Sequence, residues 1–553
     1  MITCGEYLVQ LLERYGIDTV FGIPGNHTVQ LYRGLSRAGL RHVSPRHEQG
    51  AVFMADGYAR ASGKPAACFL ISGPGLGNAV TPLLQALADS IPVLVVSAVA
   101  ARDQLGMGEG RLHEVPDQRL LASQCTRFSH TLMRPNELPK VLARAFAVFD
   151  GQRPGPVHIE IPLDVITMDA GKLPVRIWPR MHPPGPDGRA IKQLAERLTN
   201  ATSPVLIVGG GGVEAVGEVR DLAEWLDLPV VTTVNGKGVL PPDHPLLVKG
   251  SPSLPCVRDA LIASDCVLAV GTEFGETDYD MLFAGELRGL QWLARIDIDP
   301  QQFARNQMAD LAICSDSVLA MNALLNRLRS ETTESARQHT VSGGKRCREL
   351  NRRVLTEPHY HRDMAAFFAA IKDSLPGLCL VGDSTLPTYY AVWQYEAPST
   401  RRYFHSATGM GTLGYAIPAA IGACRALDSE VPVVALIGDG AAQFTAMELA
   451  SAVQERLPII VLLWNNHGYR EIKAGMLAAD VEPVGVDISP PDFLPLAQSL
   501  HCDSLRVDGI EELGLALKQA WSTAREASRP TLLELSEEMF LSHPAGTWYA
   551  DAH

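Results

Sequence analysis

Long apolar runs are missing from this sequence. No stretch reaches 18 uninterrupted apolar residues, the length that a membrane-crossing helix needs. Positive charge is scarce as well: 48 lysines and arginines stand against 61 aspartates and glutamates, a net charge of -13. Phosphate backbones are held by clustered cations, so nucleic acid is excluded as a main partner. The ten cysteines never fall as Cys-x-x-Cys, which removes the usual zinc spacing and any disulfide framework. Reduced thiols in a cytoplasmic protein are the expectation. The first residues, MITCGEYLVQLLERYG, show no basic region followed by an apolar run and read as an amphipathic helix, not a signal peptide.

What is present is an ordinary enzyme-like composition, 46% hydrophobic and 20% charged over 553 residues, long enough for three domains. Short apolar runs alternate with helical patterns: AACFLI (66–71), PVLVVSAV (92–99), PVHIEIP (156–162), PVLIVGG (204–210), CVLAVG (266–271), LCLVGD (378–383), PVVALIGDG (432–440) and PIIVLLWNN (458–466). Apolar strands separated by helices predict parallel sheets covered on both faces, an α/β fold. Two segments read as linkers, the Pro/Gly-rich 176–190 and the polar 330–346. They divide the chain into 1–175, 190–330 and 347–540.

The densest chemical signal is Gly438-Asp439-Gly440, followed after 24 residues by Asn465-Asn466. The strand PVVALI ends at Gly438, which sets Asp439 at the carboxyl end of a parallel strand, where α/β sheets bind ligands. Gly440 and Ala441 admit a close-lying anion, and the next helix points its N-terminus at it. The following strand delivers the two asparagines to the same edge. One carboxylate with amide and carbonyl oxygens is a hard-cation set, suited to Mg²⁺ bridging a diphosphate. A Walker-type phosphate loop is excluded: Asn235-Gly236-Lys237-Gly238 has Val231 where the first glycine is required.

The GDG and NN pair resembles the signature of thiamine-diphosphate enzymes, and nearly the whole chain is similar to the acetolactate-synthase-like branch. The resemblance implies pyrimidine-binding, central and diphosphate-binding domains, in that order. It implies Asp439, the Asn466 side chain and the Gly468 carbonyl as Mg²⁺ ligands. Arg46-His47-Glu48 with Ala55-Asp56-Gly57-Tyr58-Ala59-Arg60 matches the family's pattern around the glutamate that activates the cofactor. Glu48 is therefore expected to touch the aminopyrimidine ring, buried and with a raised pKa. In SATGMGTLGYAIPAAIGA (406–423), Leu413 takes the place of the residue wedged under the cofactor. The Gly411 carbonyl there would accept from its amino group. Ser384 and Thr385 are diphosphate contacts or turn caps. The resemblance also implies a homodimer or homotetramer, with each active site shared by two subunits.

Three departures from biosynthetic acetolactate synthases bear on the reaction. Gly271-Thr272-Glu273-Phe274-Gly275 carries Glu273 where the flavin-binding arginine belongs, so FAD is not expected. His113 stands where the synthases have glutamine. A histidine beside the cofactor supplies a proton near operating pH, which favours aldehyde release over ligation; a surface-loop histidine is the other reading. Asn26 and His27, in FGIPGNH (21–27), are candidates for holding a substrate carboxylate and shuttling protons, and Asn26 also reads as a helix N-cap. The motif combination resembles bacterial decarboxylases of 5-guanidino-2-oxopentanoate, whose cationic tail should meet a carboxylate, Glu471 or Glu109 being candidates; each also reads as a solvated surface carboxylate. The expectation is thiamine-diphosphate- and Mg²⁺-dependent decarboxylation of a 2-oxo acid to an aldehyde and CO₂. An acetolactate-synthase-type carboligase, a flavin-dependent 2-oxo acid oxidase and a catalytically inactive binding protein are the alternatives.

Overall fold

Three parallel sheets order this chain in a computed structural model that describes residues 1–331, 342–428 and 430–542. The first sheet is built from β1 (Thr19–Gly22), β2 (Arg41–Val43), β3 (Ala66–Leu70), β4 (Val93–Val99), β5 (Ser129–Thr131) and β6 (Val157–Pro162), in the order β2-β1-β3-β4-β6-β5. The second holds β7 (Pro204–Val208), β8 (Val230–Thr232), β9 (Cys266–Val270), β10 (Leu293–Asp297) and β11 (Leu311–Cys314), ordered β11-β10-β9-β7-β8. The third holds β12 (Cys379–Gly382), β13 (Tyr403–His405), β14 (Val433–Gly438), β15 (Ile459–Asn465), β16 (Asp503–Val507) and β17 (Thr531–Ser536), ordered β13-β12-β14-β15-β17-β16. The central strands β3, β4, β14 and β15 are buried along their whole length. That is why they read as continuous apolar runs and not as alternating ones.

The first and third sheets share one topology: each runs second-first-third-fourth-sixth-fifth in its own strand count. Their equivalent helices, Glu48–Ser62 and Ala416–Ala426, cross face to face. A Cβ on Gly57 would lie 2.0 Å from the Ala419 carbonyl oxygen, and one on Gly422 would lie 1.8 Å from that of Met54. Only glycine permits this approach of two backbones. Around the crossing a single apolar core runs from Phe21 and Phe53 of the first domain to Tyr415 and Val461 of the third. Arg60 ties the same junction, pairing with Asp56 at 2.6 Å and with Asp89, while Tyr415 donates to Asp56.

The middle sheet is covered past the expected cut at 347. Helix Gly343–Val354 packs on it, with Cys347 and Leu350 in the core beside Val257. Residues 332–341 of the expected second linker lie outside the described residues. Lys237, rejected as a phosphate-loop lysine, is buried and donates to the Tyr395 carbonyl at 2.7 Å and to Glu396 at 3.2 Å. It joins the middle domain to the third. No helix among the described residues is long and apolar enough to cross a membrane.

Candidate active site

The residues singled out from sequence lie beyond the carboxyl ends of strands, in two groups. The third sheet presents the first group. Asp439 opens helix Asp439–Thr445 directly after β14, with Gly438 as its N-cap. The Asp439 side chain is buried; Oδ1 accepts from the Asn466 backbone N–H at 3.4 Å, and Oδ2 is buried with no hydrogen-bond partner. Burial pushes this carboxyl above the usual range. A buried carboxylate oxygen left without a donor is the environment a cation completes. Asn466 follows β15, and its amide nitrogen donates to Glu537 Oε2 at 3.0 Å. That bond fixes the amide plane, with Oδ1 at the opposite end. Gly468 closes the edge through a bridge to Asp487. Gly440 lies against the Tyr469 ring, where a Cβ would come within 2.7 Å. Ala441 is buried behind it. Among the described residues no three His, Cys, Asp or Glu side chains cluster as a metal site, so a divalent ion here depends on amide and carbonyl oxygens.

Neighbouring strands supply the rest of this group. Ser384 and Thr385 follow β12; Thr385 is the buried N-cap of helix Leu386–Gln394 without a side-chain cap bond. A Cβ on Gly438 would stand 2.9 Å from the Thr385 hydroxyl, so β14 and this turn abut. Gly411 is exposed with φ +63°, and Leu413 packs on the core shared by the first and third domains. Sequence reasoning passed over Asp383, which organises this loop. Its buried carboxylate accepts from the backbone N–H groups of Ser384 (3.0 Å), Gly414 (3.2 Å) and Ala416 (2.9 Å). Burial pushes it up to about 6. The available signal was its position, an aspartate directly after an apolar strand.

The first sheet presents the second group. Glu48 is the first residue of its helix, half-buried, with Oε2 accepting from Asn78 Nδ2 at 3.0 Å. The loop before it is gripped from the third domain. Glu448 accepts from the N–H groups of Arg46 (3.0 Å) and His47 (3.1 Å). His27 follows β1 and His113 lies in the long loop after β4, yet their rings meet edge to face with centroids 5.2 Å apart. Burial and the neighbouring His113 hold His27 below the ordinary histidine range. Asn26 is exposed and opens a 3-10 turn, Asn26–Thr28. Helix Val29–Leu35 starts later and is capped from Thr28 without a side-chain bond, so Asn26 does not act as that helix's cap. No hydrogen bond or ion pair among the described residues joins Glu48, His27 or His113 to the Asp439 group.

Glu273, the residue in the flavin arginine's place, pairs with Arg153 at 2.8 Å. It lines a cavity of about 540 Å³ between the three domains, together with Asp89, Asp278 and Asp297. Burial pushes the Asp278 carboxyl up to about 7. None of the Glu48 or Asp439 group lines this space.

Two sheets of one topology with this edge chemistry define a class. The chain belongs to the thiamine pyrophosphate enzymes: residues 2–121 match the N-terminal TPP binding domain, 191–324 the central domain and 382–535 the C-terminal TPP binding domain of that family. Among its relatives is the probable 2-ketoarginine decarboxylase AruI of Pseudomonas aeruginosa, 42% identical over 97% of this chain and 94% of that protein. An acetolactate synthase of Mycobacterium bovis is 32% identical, covering 94% of this chain and 86% of the synthase. A probable acetolactate synthase large subunit of Methanocaldococcus jannaschii is 27% identical over 98% and 93% respectively.

Proposed function

We propose that this protein decarboxylates a 2-oxo acid to an aldehyde and CO₂ with thiamine diphosphate and Mg²⁺, and that the substrate is 5-guanidino-2-oxopentanoate. The observation that carries the cofactor reading is the partnerless buried oxygen of Asp439, set beside a fixed Asn466 amide. Asp439, the Asn466 side chain and the Gly468 carbonyl hold the ion. Ser384, Thr385, Gly438, Gly440 and Ala441 would hold the diphosphate, and Gly411 and Leu413 would contact the rest of the cofactor. When bound, thiamine diphosphate supplies a carbanion for the keto carbon and an acceptor for the electron pair left by CO₂. Glu48 holds a proton at the pyrimidine nitrogen. Asn26 orients the substrate carboxylate, and the His27–His113 pair delivers the proton that makes the product an aldehyde.

Glu48 of one chain serves the Asp439 group of another in this reading, so the working unit is a homodimer or homotetramer. The exposed apolar side chains Met410, Phe444 and Met447 around the third-domain site support it. The chain divides into pyrimidine-binding (1–175), central (190–330) and diphosphate-binding (347–540) units, with helix Gly343–Val354 running across the last boundary and packing on the central unit. Unpaired cysteines, nine of ten buried, accord with the cytoplasm. Glu273, paired in an acidic cavity, disfavours a flavin's phosphates. The 42% identity to a probable 2-ketoarginine decarboxylase supports the substrate. Glu471, on the helix that starts two residues past Gly468 and so beside the Asp439 group, is the carboxylate we assign to the guanidinium, with Glu109, which pairs with Arg111 at 2.7 Å, as the other candidate. The synthase relatives favour a second reading, carboligation.

One experiment separates the readings. Purified protein with cofactor and Mg²⁺ is given pyruvate, branched, aromatic and guanidino 2-oxo acids, and CO₂ and products are quantified. Free aldehyde with preference for the guanidino acid is expected. Acetohydroxy acids without free aldehyde would establish the carboligase instead, and a flat response to the guanidino acid would remove the substrate assignment.

A further inference from the structure

Ser72 has no part in the motifs described so far, yet its hydroxyl lies 2.6 Å from Nδ1 of His27. It is buried, in the turn that follows β3. That turn is held from beneath. The Gly73 N–H donates to the Gln118 side-chain oxygen at 2.8 Å. The Gln118 amide nitrogen in turn donates to Ser97 Oγ (3.1 Å), the Ala98 carbonyl (2.8 Å) and Glu160 Oε2 (3.1 Å). Gly73 has φ +65°, and a Cβ there would stand 2.6 Å from the His113 carbonyl oxygen. The Ser72 turn and the His113 loop are thus pressed together, with His27 against both. His113 itself has φ +60°, a left-handed conformation that non-glycine residues adopt only when their surroundings impose it. Its Nδ1 is buried without a partner.

In the facing loop, Glu109, Arg111 and Glu114 are engaged with one another, while Arg102 pairs with Asp164. Glu114 accepts from the backbone N–H groups of Gly108 (2.8 Å) and Arg111 (2.9 Å), and Arg111 pairs with Glu109. Beside His27 stand the Ser72 hydroxyl and the His113 ring.

We propose that Ser72 is a positioning residue which keeps a proton on Nδ1 of His27, so that Nε2 is the nitrogen that gains and loses a proton during turnover. This rests on the decarboxylase reading. The imidazolium donates through both nitrogens, Nδ1–H to Ser72 Oγ and Nε2–H towards the substrate. In the transfer the Nε2–H bond breaks, a C–H bond forms at the former keto carbon, and neutral His27 keeps Nδ1–H on Ser72. Solvent returns the proton to Nε2 before the next cycle. A ring free to rotate would offer either nitrogen and lose the aim that makes general acid catalysis effective.

The test uses full-length Ser72→Ala and Ser72→Thr variants, the second retaining a hydroxyl. The first readout needs neither substrate nor cofactor: the rate of ethoxyformylation of His27 against pH, followed by mass spectrometry of its peptide. A hydrogen bond from an imidazolium is stronger than one from neutral imidazole. Losing Ser72 therefore moves the midpoint of the profile to lower pH by about half a unit or more, and Ser72→Thr restores it. The second readout is turnover: kcat for CO₂ release falls about 10- to 100-fold in Ser72→Ala with KM within about twofold. Superimposable modification profiles for wild type and Ser72→Ala overturn the proposal. If Ser72→Ala fails to fold, Ser72→Cys, with its weak hydrogen-bonding thiol, must show the same direction of shift. Absence of CO₂ release by the wild type refutes the reaction reading, while the modification profile still decides the role of Ser72.

Discussion

Replacing Asp439 by asparagine separates what this carboxylate does for binding from what it does to the fold. The side chain is 1% exposed. Oδ1 accepts from the Asn466 N–H at 3.4 Å and Oδ2 has no hydrogen-bond partner; burial outweighs the surrounding backbone N–H groups and holds the carboxyl above its usual range. A buried carboxylate whose burial is not fully offset destabilises the free protein by about 1–3 kcal/mol. Asparagine has the same shape, keeps an oxygen for the Asn466 N–H and carries no charge. The Asp439→Asn protein without cofactor is therefore expected to melt above the wild type, by roughly 2–10 °C for a domain of this size. With thiamine diphosphate and Mg²⁺ at about 100 times their Kd, the wild type gains about 2.7 kcal/mol, or roughly 5–10 °C. The variant, without its anionic ligand, gains almost nothing. Thermal scanning fluorimetry of both proteins, with and without the ligands, reads all four values, and the change is followed as a melting temperature because a three-domain chain does not unfold in one step. A free variant melting below the free wild type would show that the carboxylate is already satisfied in the fold. A variant stabilised as much as the wild type would remove Asp439 from the ion site.

Two further outcomes are expected. Glu48→Gln keeps the bond from Asn78, folds normally and retains the ligand-induced rise in melting temperature, but loses turnover by about 10²- to 10⁴-fold; turnover near wild type would return Glu48 to a first-turn role worth about 0.3–1 kcal/mol. His158 is buried between the Ser97 and Ser129 hydroxyls, at 2.8 and 2.7 Å, and burial pushes it down to about 3. The folded chain therefore refuses a proton that the unfolded chain accepts below about pH 6.5. The stability tied to the neutral ring is complete above that pH and is lost as pH falls towards 3. In thermal scans between pH 6 and 4, the melting temperature of His158→Gln should fall less steeply with acid than that of the wild type, from a linkage of up to about 1.4 kcal/mol per pH unit, and an unchanged pH dependence would contradict the burial argument.

Sequence legibility followed burial. β3, β4, β14 and β15 are covered on both faces, so their sequences are uninterrupted apolar runs. β16, DSLRV, and β2, RHV, are edge strands carrying charge and offered no such signal. The Asp439 group was legible because its members sit at fixed distances from two obvious strands. Asp383, Ser72, Gln118 and Glu448 were not, because each acts through a turn or loop distant in sequence. Glu448 grips Arg46 and His47 across about 400 positions, and no local pattern encodes that.

The repeated topology explains why the site comes as two halves. Each of the two sheets offers one carboxyl edge, and each edge gathers the loops of adjacent strands. The third sheet's edge carries backbone N–H groups, hydroxyls and a carboxylate, an inventory for a diphosphate and its ion. The first sheet's edge carries Glu48, His27 and His113, an inventory for moving protons. Within one chain the two domains pack closely through the Gly57–Gly422 crossing and the Arg60 network. On the proposed function, each of these edges is completed by a second copy of the chain. On that proposal the crossing does more than pack two helices: by fixing where Glu48 stands relative to its own third domain, it would also set where Glu48 enters a neighbouring copy's site. A substitution at Gly57 would on this argument be felt first as loss of assembly and cofactor retention, before any change in the chemistry of the residues at either edge.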